Sequence, residues 1–128
     1  MHLISCIQAE DVNKSFGYFD DDDFYVEMYF KNDSIYVCNA AIPFINIYKF
    51  EKINESYDLY ENAEKIKNIR FGKINGIRIE IFIDNKKYNG FKIEDNINLS
   101  YYFSNEKQLL DEFSKDLLFR KQKFKSLR

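Results

Sequence analysis

Four consecutive aspartates, Asp20-Asp21-Asp22-Asp23, stand between two aromatic pairs, Tyr18-Phe19 and Phe24-Tyr25. Clustered carboxylates can bind a cation, work as an acid–base pair, or pair with Lys and Arg of a partner. The first use requires spacing that this run lacks. A calcium loop takes oxygens from alternate positions and turns on a Gly, whereas consecutive side chains on an extended segment point to opposite sides. The second use, glycosidic cleavage by two carboxylates held apart, is poorly served by candidates crowded into one loop. Nucleophilic catalysis fares no better. The thiols Cys6 and Cys38 need a base, and the one histidine is His2, at the start of the chain. Walker, GxGxxG, HExxH, GxSxG and CxxC patterns are absent. The sequence therefore predicts no catalytic residues, no metal and no cofactor. What remains is pairing with a cationic partner, since a run of like charge is self-repelling and gains nothing for the fold. The expected partner-binding set is Tyr18, Phe19, Asp20, Asp21, Asp22, Asp23, Tyr25 and Glu27, with the aromatics as anchors and the carboxylates as charge partners. A merely solvated loop is the competing account.

Charge is distributed unevenly along the 128 residues. Residues 1–64 hold 13 Asp/Glu against 4 Lys and no Arg, giving −9, while residues 65–128 hold 8 Asp/Glu against 15 Lys/Arg, giving +7. The basic end is densest at Arg120-Lys121-Gln122-Lys123-Phe124-Lys125-Ser126-Leu127-Arg128. Such a stretch resembles a backbone-binding arm for nucleic acid, but the net charge of −2 opposes that use and RNP or zinc-finger patterns are missing. No apolar run approaches the roughly 20 residues of a spanning helix, and Met1–Ile7 lacks the basic leader of a signal peptide. The expectation is a protein with no membrane partner, placed in a reducing cytoplasm. Two cysteines cannot form a disulfide framework, and both sit among apolar neighbours, which reads as buried free thiols.

Elements must position these residues. Phe24, Val26, Met28 and Phe30 alternate with Tyr25, Glu27, Tyr29 and Lys31, Asn32-Asp33-Ser34 reads as a turn, and Ile35–Asn39 returns as the second strand of a hairpin. Pro43 lacks an N–H and marks a strand end, edge or bulge, with a further strand near Phe44–Phe50. Asn75-Gly76 predicts a type I′ turn, followed by Ile77, Ile79, Ile81 and Ile83 on one face. Asp84-Asn85-Lys86-Lys87 suits a second reversal, although Asn89-Gly90 could serve instead. Strands near Tyr88–Ile93 and Ile97–Phe103 follow. Asn54 could cap a short helix over residues 55–65. After Ser104 the period changes, and Leu109, Leu110, Phe113, Leu117 and Phe124 recur at helical spacing. The fold expected is α+β: one domain over residues 1–128, an antiparallel β-meander of five or more strands, and a C-terminal amphipathic helix packed on one face. The isoleucine face is expected to meet Leu110, Phe113 and Leu117.

Taken whole, the small α+β form, the bias toward Ile, Lys, Phe, Asn and Tyr, and the run Phe16-Gly17-Tyr18-Phe19-Asp20-Asp21-Asp22-Asp23-Phe24-Tyr25 resemble immunity proteins of bacterial contact-dependent growth inhibition and related polymorphic toxin systems. The resemblance implies a non-enzymatic inhibitor that covers the active site of a cognate toxin domain, often a nuclease and so cationic where it holds phosphate. Two other readings stand beside it. One is a small ligand-binding or enzymatic domain with a pocket between helix and sheet. The other is a nucleic-acid-binding module using the basic tail.

Overall fold

The computed structural model describes residues 14–40, 42–94 and 106–128, with side chains described for 14–40, 45–94 and 114–128. Eight strands follow in order: β1 Ser15–Phe19, β2 Tyr25–Lys31, β3 Ser34–Asn39, β4 Ile42–Ile53, β5 Ser56–Glu61, β6 Glu64–Asn75, β7 Arg78–Ile83 and β8 Lys86–Lys92. Helix α1 spans Glu106–Ser126. Each strand pairs antiparallel with the next, and β8 returns to β1 through Phe16↔Lys92, Gly17↔Phe91 and Tyr18↔Gly90. The antiparallel sheet and the C-terminal helix are as the sequence implied, but the sheet closes into a barrel and is not an open meander. Closure removes both exposed edges, and it leaves the local alternation of each strand unchanged, so alternation alone does not reveal it.

Turn chemistry fixes the strand lengths. Asn62-Ala63 (φ 52° and 66°) and Asp84-Asn85 (φ 50° and 69°) are both left-handed at their two central residues, as a type I′ hairpin requires. The segment at 55–65, where the sequence offers a short helix, is instead part of the β5–β6 hairpin turning at Asn62-Ala63. At Asn75-Gly76 the reversal is shifted by one residue. Gly76 (φ 63°) and Ile77 are the central pair between Asn75 and Arg78, and only Gly76 is left-handed, the pattern of a type II′ turn and not the type I′ expected. The last reversal falls within Asp84–Lys87 and not at Asn89-Gly90, but only Asp84-Asn85 form the turn, since Lys86 and Lys87 already belong to β8. Pro43 falls where the β3–β4 register shifts, opposite Cys38 and Asn39. The strand expected at Ile97–Phe103 lies outside the described residues.

The barrel interior is filled by inward side chains: Phe16, Tyr18, Val26, Met28, Phe30, Ile35, Tyr57, Leu59, Ile69, Ile79 and Ile81 are buried together. An eight-stranded barrel is just wide enough for side chains to occupy its axis. Here aromatic rings do so, with Phe16 against Phe71 at 4.4 Å and Phe30 against Tyr57 at 4.9 Å between centroids. A second buried cluster lies outside the barrel wall, where Leu117 and Phe124 of α1 cover Phe19, Tyr25, Tyr29, Cys38 and Phe91. The Phe91 and Phe124 rings stack at 4.7 Å, 6° from parallel. The expected contact of the isoleucine face with α1 is therefore corrected. Ile79, Ile81 and Ile83 point into the barrel, and only Ile77, in the turn, reaches the cluster under the helix. Closure turned that face inward and left the opposite face of β1, β2, β3 and β8 for the helix. The side chains of Leu110 and Phe113 lie outside the described residues, as does Cys6. Among the described residues no helix is long and apolar enough to cross a membrane.

Candidate functional site

The aspartate run forms the connection between β1 and β2. Asp20 organises it: its Oδ1 accepts hydrogen bonds from the backbone N–H of Asp22 (3.0 Å) and of Phe24 (2.9 Å). The backbone closes the same turn, with the Asp20 N–H donating to the Phe24 carbonyl and the Asp23 N–H to the Asp20 carbonyl. Asp23 sits at φ 65°, a left-handed position that Asp tolerates better than most residues. Asp20 is half-buried and Asp21, Asp22 and Asp23 are exposed.

Two cations from the second half of the chain brace this loop. Lys86 Nζ lies 2.5 Å from Asp21, whose other oxygen accepts a hydrogen bond from the Tyr88 hydroxyl at 3.2 Å. The Lys86 hydrogen bond, joined by that of Tyr88, holds the Asp21 carboxyl below the usual carboxylate range. The Lys86 ammonium also lies 5.6 Å from the centre of the Tyr88 ring. On the other side, Arg128 donates to Asp23 at 2.5 Å, and its guanidinium lies 4.2 Å above the Phe19 ring. Arg78 of β7 donates to the Leu127 carbonyl at 2.5 Å and so fixes the segment that carries Arg128. Among the described residues, Asp22 has no ion-pair partner.

Beside the loop runs an open groove of about 670 Å³ between the end of α1 and the outer wall of β7 and β8. Phe19, Asp21, Arg78, Glu80, Asn89 and Arg128 are among its lining residues. Glu80 accepts from the Lys73 backbone N–H at 3.0 Å and pairs with Lys87 at 2.9 Å. The groove wall therefore carries charges of both signs.

The eight residues expected to bind a partner divide sharply. Asp20 to Asp23 form the loop surface. Tyr18 points into the barrel, its ring 5.2 Å from that of Tyr88, and burial pushes its phenol well above the usual range. Tyr25 and Glu27 are buried under α1, so their surfaces are used by the fold and not offered to a partner, while Phe19 packs in the same cluster and has its ring covered on the groove side by the Arg128 guanidinium. Glu27 is fully buried. It accepts from the Tyr25 hydroxyl at 2.5 Å, from the Tyr29 hydroxyl, and from Arg120 Nε (2.6 Å) and Nη2 (2.8 Å). The two-pronged Arg120 contact matches the carboxylate in plane and charge. Burial alone would ease Arg120 deprotonation, and Glu27 reverses that, so the guanidinium is held charged.

Sequence reasoning missed Arg120 and Lys86. Arg120 is spaced three and four residues from Leu117 and Phe124, so it shares their apolar face, an inward charge on an amphipathic helix that signals a buried counter-ion. Nothing comparable marks Lys86, which is brought to the loop only by barrel closure. No protein-family profile, no curated protein and no solved structure matches this chain.

Proposed function

We propose that the protein is a protein-binding inhibitor that docks through the β1–β2 loop and covers the active site of a basic toxin domain. The observation that carries this reading is the loop itself: Asp21, Asp22 and Asp23 are exposed on a turn braced by Asp20 within and by Lys86 and Arg128 from either side. Binding residues carried on loops of a rigid scaffold are a common arrangement, and preorganised charge loses little entropy on docking. A cationic nuclease surface is the complementary partner, and opposite charge speeds the encounter. The groove falls within the volume range of small-ligand pockets, but it is open and carries Asp21, Arg78, Glu80 and Arg128 beside Phe19 and Phe91, a mixed charged and aromatic wall that favours the protein partner.

The test is the affinity of the chain for the protein encoded immediately upstream, measured at low and moderate salt. The variant Asp21→Asn/Asp22→Asn/Asp23→Asn keeps Asp20 and hence the turn. It is expected to fold normally and to bind about 2–5 kcal/mol more weakly if one desolvated pair is lost. Wild-type protein that does not bind, or a variant with unchanged affinity and salt dependence, overturns the loop as docking surface.

A further inference from the structure

The two in-chain cations at the loop share one geometry. Lys86 is held between the Asp21 carboxylate and the Tyr88 ring, and Arg128 between the Asp23 carboxylate and the Phe19 ring. A carboxylate beside an aromatic face is the environment that recognises a planar guanidinium, by two-pronged pairing on one side and stacking on the other. The two cations differ in how they are held. Lys86 belongs to β8, where Ile83↔Lys86 closes the hairpin. Arg128 lies two residues past α1, its side chain 42 % exposed, at the rim of the groove. Its carboxylate partner Asp23 is 62 % exposed, so this ion pair is half in water and weakly held.

We infer that the Phe19–Asp23 site is an arginine-recognition site that Arg128 occupies as an in-chain competitor, and that a partner enters by placing one of its own arginines there. This rests on the loop being the docking surface and specifies its chemistry. A guanidinium arriving from a partner finds the same carboxylate and ring, and the groove beside them receives the chain that carries it. Displaced Arg128 passes into water, to which its side chain is already partly exposed. The apparent affinity is lowered by the fraction of time Arg128 holds the site, so removing it raises affinity.

The experiment measures binding of a fluorescent tri-arginine peptide and a tri-lysine peptide at low salt. Arg128→Ala should bind tri-arginine about fivefold more tightly than wild type, the factor expected when the site is self-occupied some four-fifths of the time. Lys125→Ala makes the same charge change on an exposed position of α1 and sets the purely electrostatic baseline; it should shift affinity less than twofold, within ordinary screened attraction. Adding Asp23→Asn to Arg128→Ala should abolish the gain, and tri-lysine should gain no more than the baseline. Equal gains for Arg128→Ala and Lys125→Ala, or equal gains for the two peptides, overturn the arginine site. So does a weakened interaction in Arg128→Ala. If the upstream protein loses affinity for the triple aspartate variant while Arg128→Ala changes nothing, the docking surface stands and the competitor falls.

Discussion

At the scale of single residues, a carboxylate removed entirely from water persists because four hydrogen bonds reach it, two from tyrosine hydroxyls and two from one guanidinium. Desolvating both ions of such a pair offsets most of their attraction, so the pair adds little net stability, yet losing one partner strands the other. Glu27→Gln and Arg120→Met are each expected to lower the unfolding free energy by about 3–5 kcal/mol in urea titration, and Glu27→Gln/Arg120→Met, which removes both charges and keeps an amide for the Tyr25 and Tyr29 hydroxyls, to cost clearly less than the sum of the two. Losses that simply add in the double variant would show that the two residues do not act as a unit. Gly17 belongs to the same arrangement: a Cβ there would collide with the Tyr25 ring and hydroxyl, so the glycine admits the tyrosine to Glu27. In the sequence Glu27 was legible as an outward position on an alternating strand. Its neighbour across space was not, because 93 residues separate Glu27 from Arg120.

Among the elements, the described side chains of α1 meet the barrel through the apolar seam of Leu117 and Phe124 and through the Glu27–Arg120 ion pair, whereas the barrel closes on its own ladder of strand pairs. Among the described side chains of the helix, Phe124 is the largest apolar one in that seam, and it stacks on Phe91. Phe124→Ala should weaken helix docking by about 3–5 kcal/mol. Cys38 reports the event, because it is buried under the helix and burial, with Glu27 nearby, pushes its thiol up to about 12. In the wild type this thiol should react slowly with a disulfide reagent; in Phe124→Ala it should react faster while the sheet signal in circular dichroism persists. Acceleration that appears only together with loss of the sheet would show that helix and barrel open as one unit. Legibility at this scale followed the strength of local pattern. The alternation of β2, β3 and β7 and the helical spacing around Leu117 and Phe124 stood out in the sequence. The β5–β6 hairpin did not, since its turn is Asn62-Ala63 with no glycine and the early part of β6 is exposed on both faces. Closure was illegible because it depends on pairing between Tyr18 and Gly90, at opposite ends of the sheet. Of the candidate site, the aspartates were legible as an exposed loop, while Lys86 and Arg128 met them only through that closure.

Over the whole molecule, the acidic first half and basic second half of the chain fold onto each other: Asp21 meets Lys86, Asp23 meets Arg128, Glu27 meets Arg120 and Asp58 meets Lys65. The exposed and buried ionisable groups then set opposite limits on stability. Asp21, Asp33, Asp58 and Glu80 are held below their ordinary values by hydrogen bonds from Lys86, Lys49, Asn68 and the Lys73 backbone respectively. A depressed carboxylate contributes stability that is present above its unfolded value and is lost as pH falls through its folded value, so this loss lies below the ordinary carboxylate values of 3.8 and 4.5. Tyr18, Tyr25, Tyr29 and Cys38 are raised, chiefly by burial. A raised acid contributes stability that is present below its unfolded value and is lost as pH climbs past it, so this loss begins near the ordinary thiol and phenol values of 9.0 and 10.0. Stability should therefore be flat from about pH 5 to 8.5 and fall on both sides. The two flanks have different causes and should answer differently to salt. Lys49–Asp33 and Lys86–Asp21 are exposed ion pairs that salt screens, so the acid flank should become shallower as salt rises. Desolvation of buried phenols is not screened, so the alkaline flank should keep its slope, and tyrosinate absorbance should appear for these three tyrosines only as the protein unfolds. Urea midpoints from about pH 2 to 11 at two salt concentrations measure both flanks. An alkaline flank that flattens with salt as much as the acid flank would show that charge, and not burial, holds those phenols neutral.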